Sequence, residues 1–188
     1  MVVLHEIYGL NSHITKICDD FSKNGIDSIA PNLLDGRAPF RYDEEEIAYH
    51  YFMNSIGFDR AFSQVNDVLC KVREDYQTVY VLGYSIGATL AWLGSETGLC
   101  DLAIGFYGSR IRDYLLVKPK CPTLLLFPTV EKAFNVEELI TDLNKIEHVQ
   151  VKKITGQHGF ADPFSNNYNK QSSSRACVAA KLFIKKHK

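Results

Sequence analysis

Residues Thr78–Leu82 (TVYVL) form a short β-branched and aromatic run. It passes without a break into Gly83-Tyr84-Ser85-Ile86-Gly87, and ATLAWL follows at once with helical character. Few folds accommodate such a junction. A strand that turns into a helix within one or two residues needs a tight, strained turn, and glycines on either side let two backbones approach without a Cβ clash. The serine between them is held proud of the sheet. G-x-S-x-G alone occurs by chance; set between a strand and a helix it marks a nucleophile elbow. The competing reading is an ordinary tight loop in a nucleotide-type sheet.

The rest of the chain repeats the alternation that begins here. Met1–Ile7, Ile26–Ala30, Leu102–Tyr107, Thr123–Phe127 and Val149–Ile154 read as further strands. Ser12–Asn24 reads as a helix, with Ser12 as candidate cap and Gly25 as its stop. Tyr42–Tyr76 holds two helices that break near Gly57, and Ala88–Ser95, Val136–Lys145 and Ser172–Lys186 complete the set. Continuously apolar strands are buried on both faces, which predicts a mostly parallel sheet of about six strands flanked by helices. A length of 188 residues, with no linker or repeat, predicts one α/β domain over residues 1–188. Asp35–Asp43 reads as a loop over the edge or mouth of the sheet.

Several classes of partner are disfavoured. The 21 basic and 22 acidic residues leave a net charge of −1, so no field of one sign points to nucleic acid or an anionic membrane. The basic end, Lys181 to Lys188, reads as a solvated helix terminus. Five widely spaced cysteines without C-x-x-C argue against both a disulfide framework and a zinc site, and a reducing cytoplasm is the expected compartment. The N-terminal run breaks at His5 and Glu6, unlike a signal peptide or anchor, and no stretch approaches the ~20 apolar residues of a membrane span.

A serine hydroxyl needs a base, and the base needs orienting. His158, between Gly156-Gln157 and Gly159, follows the last strand, where the base of such a sheet belongs. Glu131 follows the preceding strand and is the best placed acid in the order Ser, acid, His; Glu137 and Glu138 read as helix. The expected oxyanion donors are the backbone N–H groups of Ile86, after the nucleophile, and Ile7, in the loop after the first strand.

These segments together resemble the dienelactone hydrolase family over nearly the whole chain. The matching blocks are VVLHEIYGLN, SIAPNLL, LGYSIGATLAW, GFYG, CPTLLLFPTVE and QHGFADP, in that order. The resemblance implies an α/β-hydrolase fold, a Ser- or Cys-His-acid triad, hydrolysis of a small ester or lactone, and no metal or organic cofactor. It also implies a sheet trimmed at the N-terminal edge, because the chain starts at what is usually the third strand of that fold. The family's first-loop glutamate falls on Glu6. Ser85 stands where dienelactone hydrolases carry cysteine, and Glu131 where aspartate is usual. Glu6, Tyr8, Tyr84, Arg37 and Phe160 are the candidate substrate contacts. Asp162, four residues after His158, is expected at the pocket rim, where its charge would disfavour anionic substrates. Thioester hydrolysis, acyl transfer, peptide cleavage and a non-catalytic binding module remain open, as does the choice between monomer and homodimer. Whether Glu131 or Glu6 serves the histidine is also open.

Overall fold

Strands whose residues are apolar on both faces must be covered on both, and the computed structural model, which describes residues 1–187, is a three-layer α/β sandwich. Five strands lie side by side in chain order and all pair in parallel: β1 (Val2–Leu4), β2 (Tyr80–Tyr84), β3 (Leu102–Phe106), β4 (Thr123–Val130) and β5 (Val149–Gln157). This is the α/β-hydrolase fold. The two-residue period of the strands sorts the core. Val3, Leu82, Ile104 and Leu124 meet α1 (Ser12–Ser22) and α6 (Lys170–Lys186) on one face. Val2, Leu4, Val81 and Ala103 meet α2 (Glu45–Tyr51), α3 (Gly57–Asp75) and α4 (Ile86–Gly94) on the other. On that face Leu125 and Phe127 pack with Trp92 and α5 (Val136–Leu143).

Two local expectations need correction. Of the about six strands expected, five form the sheet: Ile26–Ala30 is reduced to one bridge, Val2 to Ile29, with Val3 N–H donating to Ile29 O at 2.8 Å. Asp27 and Ser28 are polar, Pro31 has no N–H to offer a ladder, and Ile29 is 47% exposed because nothing covers its outer side. The cap of α1 is Asn11 rather than Ser12; its side-chain oxygen accepts from Ile14 N–H at 3.2 Å. Lys188, at the end of the basic terminus, lies outside the described residues. Among them, no helix is long and apolar enough to cross a membrane.

The order of connections locates the mouth of the sheet. From β1 the chain runs outward to Ile29 and then crosses back to β2; from β2 onward every connection moves the other way. Such a reversal opens a crevice at the carboxyl ends of the two strands concerned. The residues placed there are Ser85, after β2, and His5-Glu6-Ile7, after β1.

Two close approaches weld these strand ends together. A Cβ on Gly83 would lie 2.0 Å from Gly87 O, and one on Gly87 would lie 2.3 Å from Leu4 O. Between them Ser85 adopts φ 53° and ψ −114°, a strained conformation for a residue with a side chain. His5 fixes the neighbouring loop. Its buried ring donates from Nδ1 to Glu6 O at 2.6 Å and accepts at Nε2 from Leu33 N–H at 2.9 Å. Burial pulls its pKa down from 6.5 to about 4, so both bonds are made by the neutral ring in one tautomer.

Two stability predictions follow from these contacts. Gly87→Ala forces a methyl into the Leu4 carbonyl and should cost at least the ~1–3 kcal/mol of an overpacked core, read by urea denaturation. A wild-type-like midpoint would show that the β1 end is free to move. His5 binds its proton more weakly folded than unfolded, so its contribution is present above pH 6.5 and is lost as the pH falls towards 4. Between pH 7 and pH 5 the loss should be about 2 kcal/mol. Urea denaturation at the two pH values should therefore show a smaller drop for His5→Gln than for the wild type. Equal drops would place the proton elsewhere.

Candidate active site

The last residue of β2 delivers the chain into the elbow, and Ser85 N–H donates back to Phe106 O at 2.9 Å, which ties the turn to β3. Ser85 Oγ–H donates to His158 Nε2 at 2.9 Å. A carboxylate can only accept, so the proton on the far ring nitrogen is fixed: His158 Nδ1–H donates to Glu131 Oε1 at 3.0 Å. The three side chains form one unbroken hydrogen-bonded line. It runs from a partly exposed serine through a histidine that is 36% exposed to a glutamate that is 6% exposed.

The meeting of Glu131 with His158 has a local cause. β4 and β5 lose their regular register between Pro128 and Val130, and such an irregularity re-aims the side chains that follow. Thr129 then clips the two strand ends together: Gly156 N–H donates to Thr129 Oγ1 at 3.1 Å, and that hydroxyl donates to Gly156 O at 3.3 Å. Asn167 Nδ2 donates to His158 O at 2.9 Å, and the Tyr107 ring lies 4.9 Å from the imidazole. Sequence reasoning missed Thr129, Asn167 and Tyr107; the matching blocks CPTLLLFPTVE and GFYG carry Thr129 and Tyr107, and no signal pointed to Asn167.

The backbone N–H groups of Ile7 and Ile86 have no acceptor among the described residues. Ile86 opens α4, whose first N–H groups are free by construction. The Gly87–Leu4 contact holds the β1 loop beside it. Ile86 directly follows Ser85, and Ile7 lies in the β1 loop that approaches the start of α4.

The remaining predicted contacts divide. Glu6 is 4% exposed and makes no hydrogen bond to His158. Burial opposes its charge, yet His13 and His158 nearby hold its pKa below the usual range. Tyr8 is half-buried, its ring 4.7 Å from that of Tyr42, and burial with neighbouring carboxylates pushes its phenol up. Arg37 is exposed and stacks on Phe40 at 4.3 Å and Tyr51 at 5.1 Å. Tyr84, Phe160 and Asp162 are corrections. Tyr84 ends β2 pointing into the α1–α6 face, 2% exposed, and Phe160 is fully buried against Phe106 and Tyr107. Neither side chain is open to a substrate. Asp162 is 1% exposed and turned inward, where Tyr42 donates to it at 2.5 Å; it gives the rim no charge.

Comparison with known proteins agrees with this architecture. Residues 1–188 match the model of the dienelactone hydrolase family. An uncharacterized Bacillus subtilis (strain 168) protein, YczH, is 35% identical over 173 residues, covering 90% of this chain and 84% of its own. Among solved structures, a Klebsiella pneumoniae protein assigned as a dienelactone hydrolase superposes with a TM-score of 0.83 at 16% identity, covering 97% of this chain and 84% of that one. P91, a dienelactone hydrolase-like promiscuous phosphotriesterase from metagenomic libraries, gives 0.74 at 18%, with coverages of 98% and 84%. Est1E from Butyrivibrio proteoclasticus, solved with ferulic acid bound, gives 0.71 at 10%, with coverages of 99% and 88%. At such identities the superpositions speak to the fold, and the family match over the full length carries the assignment: the chain belongs to the dienelactone hydrolase family of α/β-hydrolases.

Proposed function

We propose that this chain is a serine hydrolase that cleaves a small carboxylic ester, lactone or thioester through an acyl-enzyme. Ser85 is the nucleophile, His158 the general base and Glu131 the acid that orients it. The observation that carries the reading is the line Ser85 Oγ to His158 Nε2 to Glu131, at 2.9 and 3.0 Å. Serine thus takes the place that cysteine holds in dienelactone hydrolases.

In the first half of the reaction Ser85 Oγ attacks the acyl carbon while its proton passes to His158 Nε2. The carbonyl oxygen becomes an oxyanion held by the Ile7 and Ile86 N–H groups. A helix N-terminus and a fixed backbone donor need no reorganisation as that charge develops. Collapse of the intermediate breaks the bond to the leaving alcohol or thiol, which takes the proton from His158. In the second half a water gives a proton to His158 and adds to the acyl carbon; collapse breaks the bond to Ser85 Oγ, which takes the proton back from His158, and the acid leaves. Glu131 keeps the proton on Nδ1 throughout and stabilises the imidazolium that forms twice per turnover.

The kinetic signature is non-additivity. Ser85→Ala and His158→Ala should each lower kcat on a nitrophenyl ester by about 10³-fold or more, and the double variant should be little worse than either. Near-full activity in either single variant would refute the assignment. Glu131→Gln should cut kcat more than Glu6→Gln, because only Glu131 holds the histidine. The reverse order in kcat/KM would transfer the acid role to Glu6.

A further inference from the structure

Beneath the candidate active site lies a second group of chemistry-bearing side chains that the hydrolytic reading does not use. Glu6 comes from the loop after β1, His13 from the first turn of α1, and Asp162 from the loop after His158. They are 4%, 0% and 1% exposed. One donor atom from each lies within 4.8 Å of the other two. We propose that Glu6, His13 and Asp162 bind a divalent transition-metal ion, Zn²⁺ by their donor set, which ties these three segments together. The inference is independent of the hydrolytic reading, since no step of that reaction passes through the ion.

Hydrogen bonding leaves this cluster incomplete. His13 Nδ1 stands 3.8 Å from Glu6 Oε2 and 3.7 Å from Asp162 Oδ2, beyond the reach of an N–H···O bond. Both ring nitrogens of this wholly buried histidine lack a partner. Buried polar atoms almost always have partners, and an orphaned imidazole aimed between two carboxylates points to something that bridges all three.

The spacing suits a metal ion. Two ligands of a tetrahedral Zn²⁺, each at about 2.0–2.1 Å, stand roughly 3.4 Å apart, so the two imidazole–carboxylate separations need to close by only a few tenths of an ångström, and the two carboxylates, within 4.8 Å of each other, close around the ion with them. An imidazole with two carboxylates selects zinc or its first-row neighbours over calcium and magnesium, which prefer all-oxygen shells. Two carboxylates buried in one place also repel: burial and then Glu6 push the Asp162 carboxyl up, and a dication would relieve both.

Outer-shell groups already orient one ligand. Tyr42 OH donates to Asp162 Oδ2 at 2.5 Å, Asn11 Nδ2 donates to Tyr42 OH at 2.9 Å, and Phe164 N–H donates to Asp162 Oδ1 at 2.9 Å. Tyr42 and Asn11, which hold Asp162, also line a cavity of about 490 Å³ open to solvent.

The test uses the full chain, stripped with a chelator and titrated with ZnCl₂ by calorimetry. The expected result is one equivalent bound with a micromolar or lower Kd, weakened at least tenfold by His13→Gln and by Asp162→Asn. Saturating the wild type at about a hundredfold excess over Kd should raise Tm by roughly 5–10 °C. X-ray absorption at the zinc edge needs no variant and should show one imidazole and otherwise oxygen ligands at about 2.0–2.1 Å. Absence of binding, sulfur in the coordination shell, or binding unchanged in both variants would overturn the site.

Discussion

Everything at the mouth of this sheet depends on backbone touching backbone at two glycines. With no Cβ at Gly83 or Gly87, the ends of β1 and β2 and the start of α4 occupy a volume that any side chain would overfill. That packing holds Ser85 in its unfavourable conformation, and the surrounding contacts compensate the strain. It also brings the β1 loop, which carries Ile7, against the start of α4. The proposed nucleophile and oxyanion donors both trace to one steric fact.

The other half of the site is assembled from further away. Glu131 and His158 lie 27 residues apart and meet because β4 and β5 are adjacent parallel strands whose ends are clipped by Thr129. Parallel strands bring carboxyl ends together whatever the intervening chain does, so a serine after β2 can meet side chains placed after β4 and β5. The buried cluster of Glu6, His13 and Asp162 adds a third link, between α1 and the loop that carries His158.

What could be read from the sequence was what is local or periodic. The elbow is contiguous, the strands are unbroken apolar runs, and the order Ser, Glu, His follows the order of the strand ends. The family resemblance placed the fold on the same blocks. Ile26–Ala30 misled because its apolar residues at 26, 29 and 30 imitate a strand, while Asp27, Ser28 and Pro31 deny it a ladder. Tyr84, Phe160 and Asp162 misled for another reason: standing next to a site in sequence does not mean facing it. The strand period sends Tyr84 into the core, and the turn after His158 sends Phe160 and Asp162 inward. Tyr42 reaches Asp162 across 120 residues, a contact that leaves no trace in spacing or pattern.

The central claim is that Ser85 is an activated nucleophile, and a fluorophosphonate probe tests it without knowledge of the substrate. Intact-mass analysis of the labelled protein followed by peptide mapping should find one adduct per chain, on Ser85, and none in folded His158→Ala over the same interval. A folded wild-type protein that stays unlabelled, or one labelled elsewhere, would contradict the account.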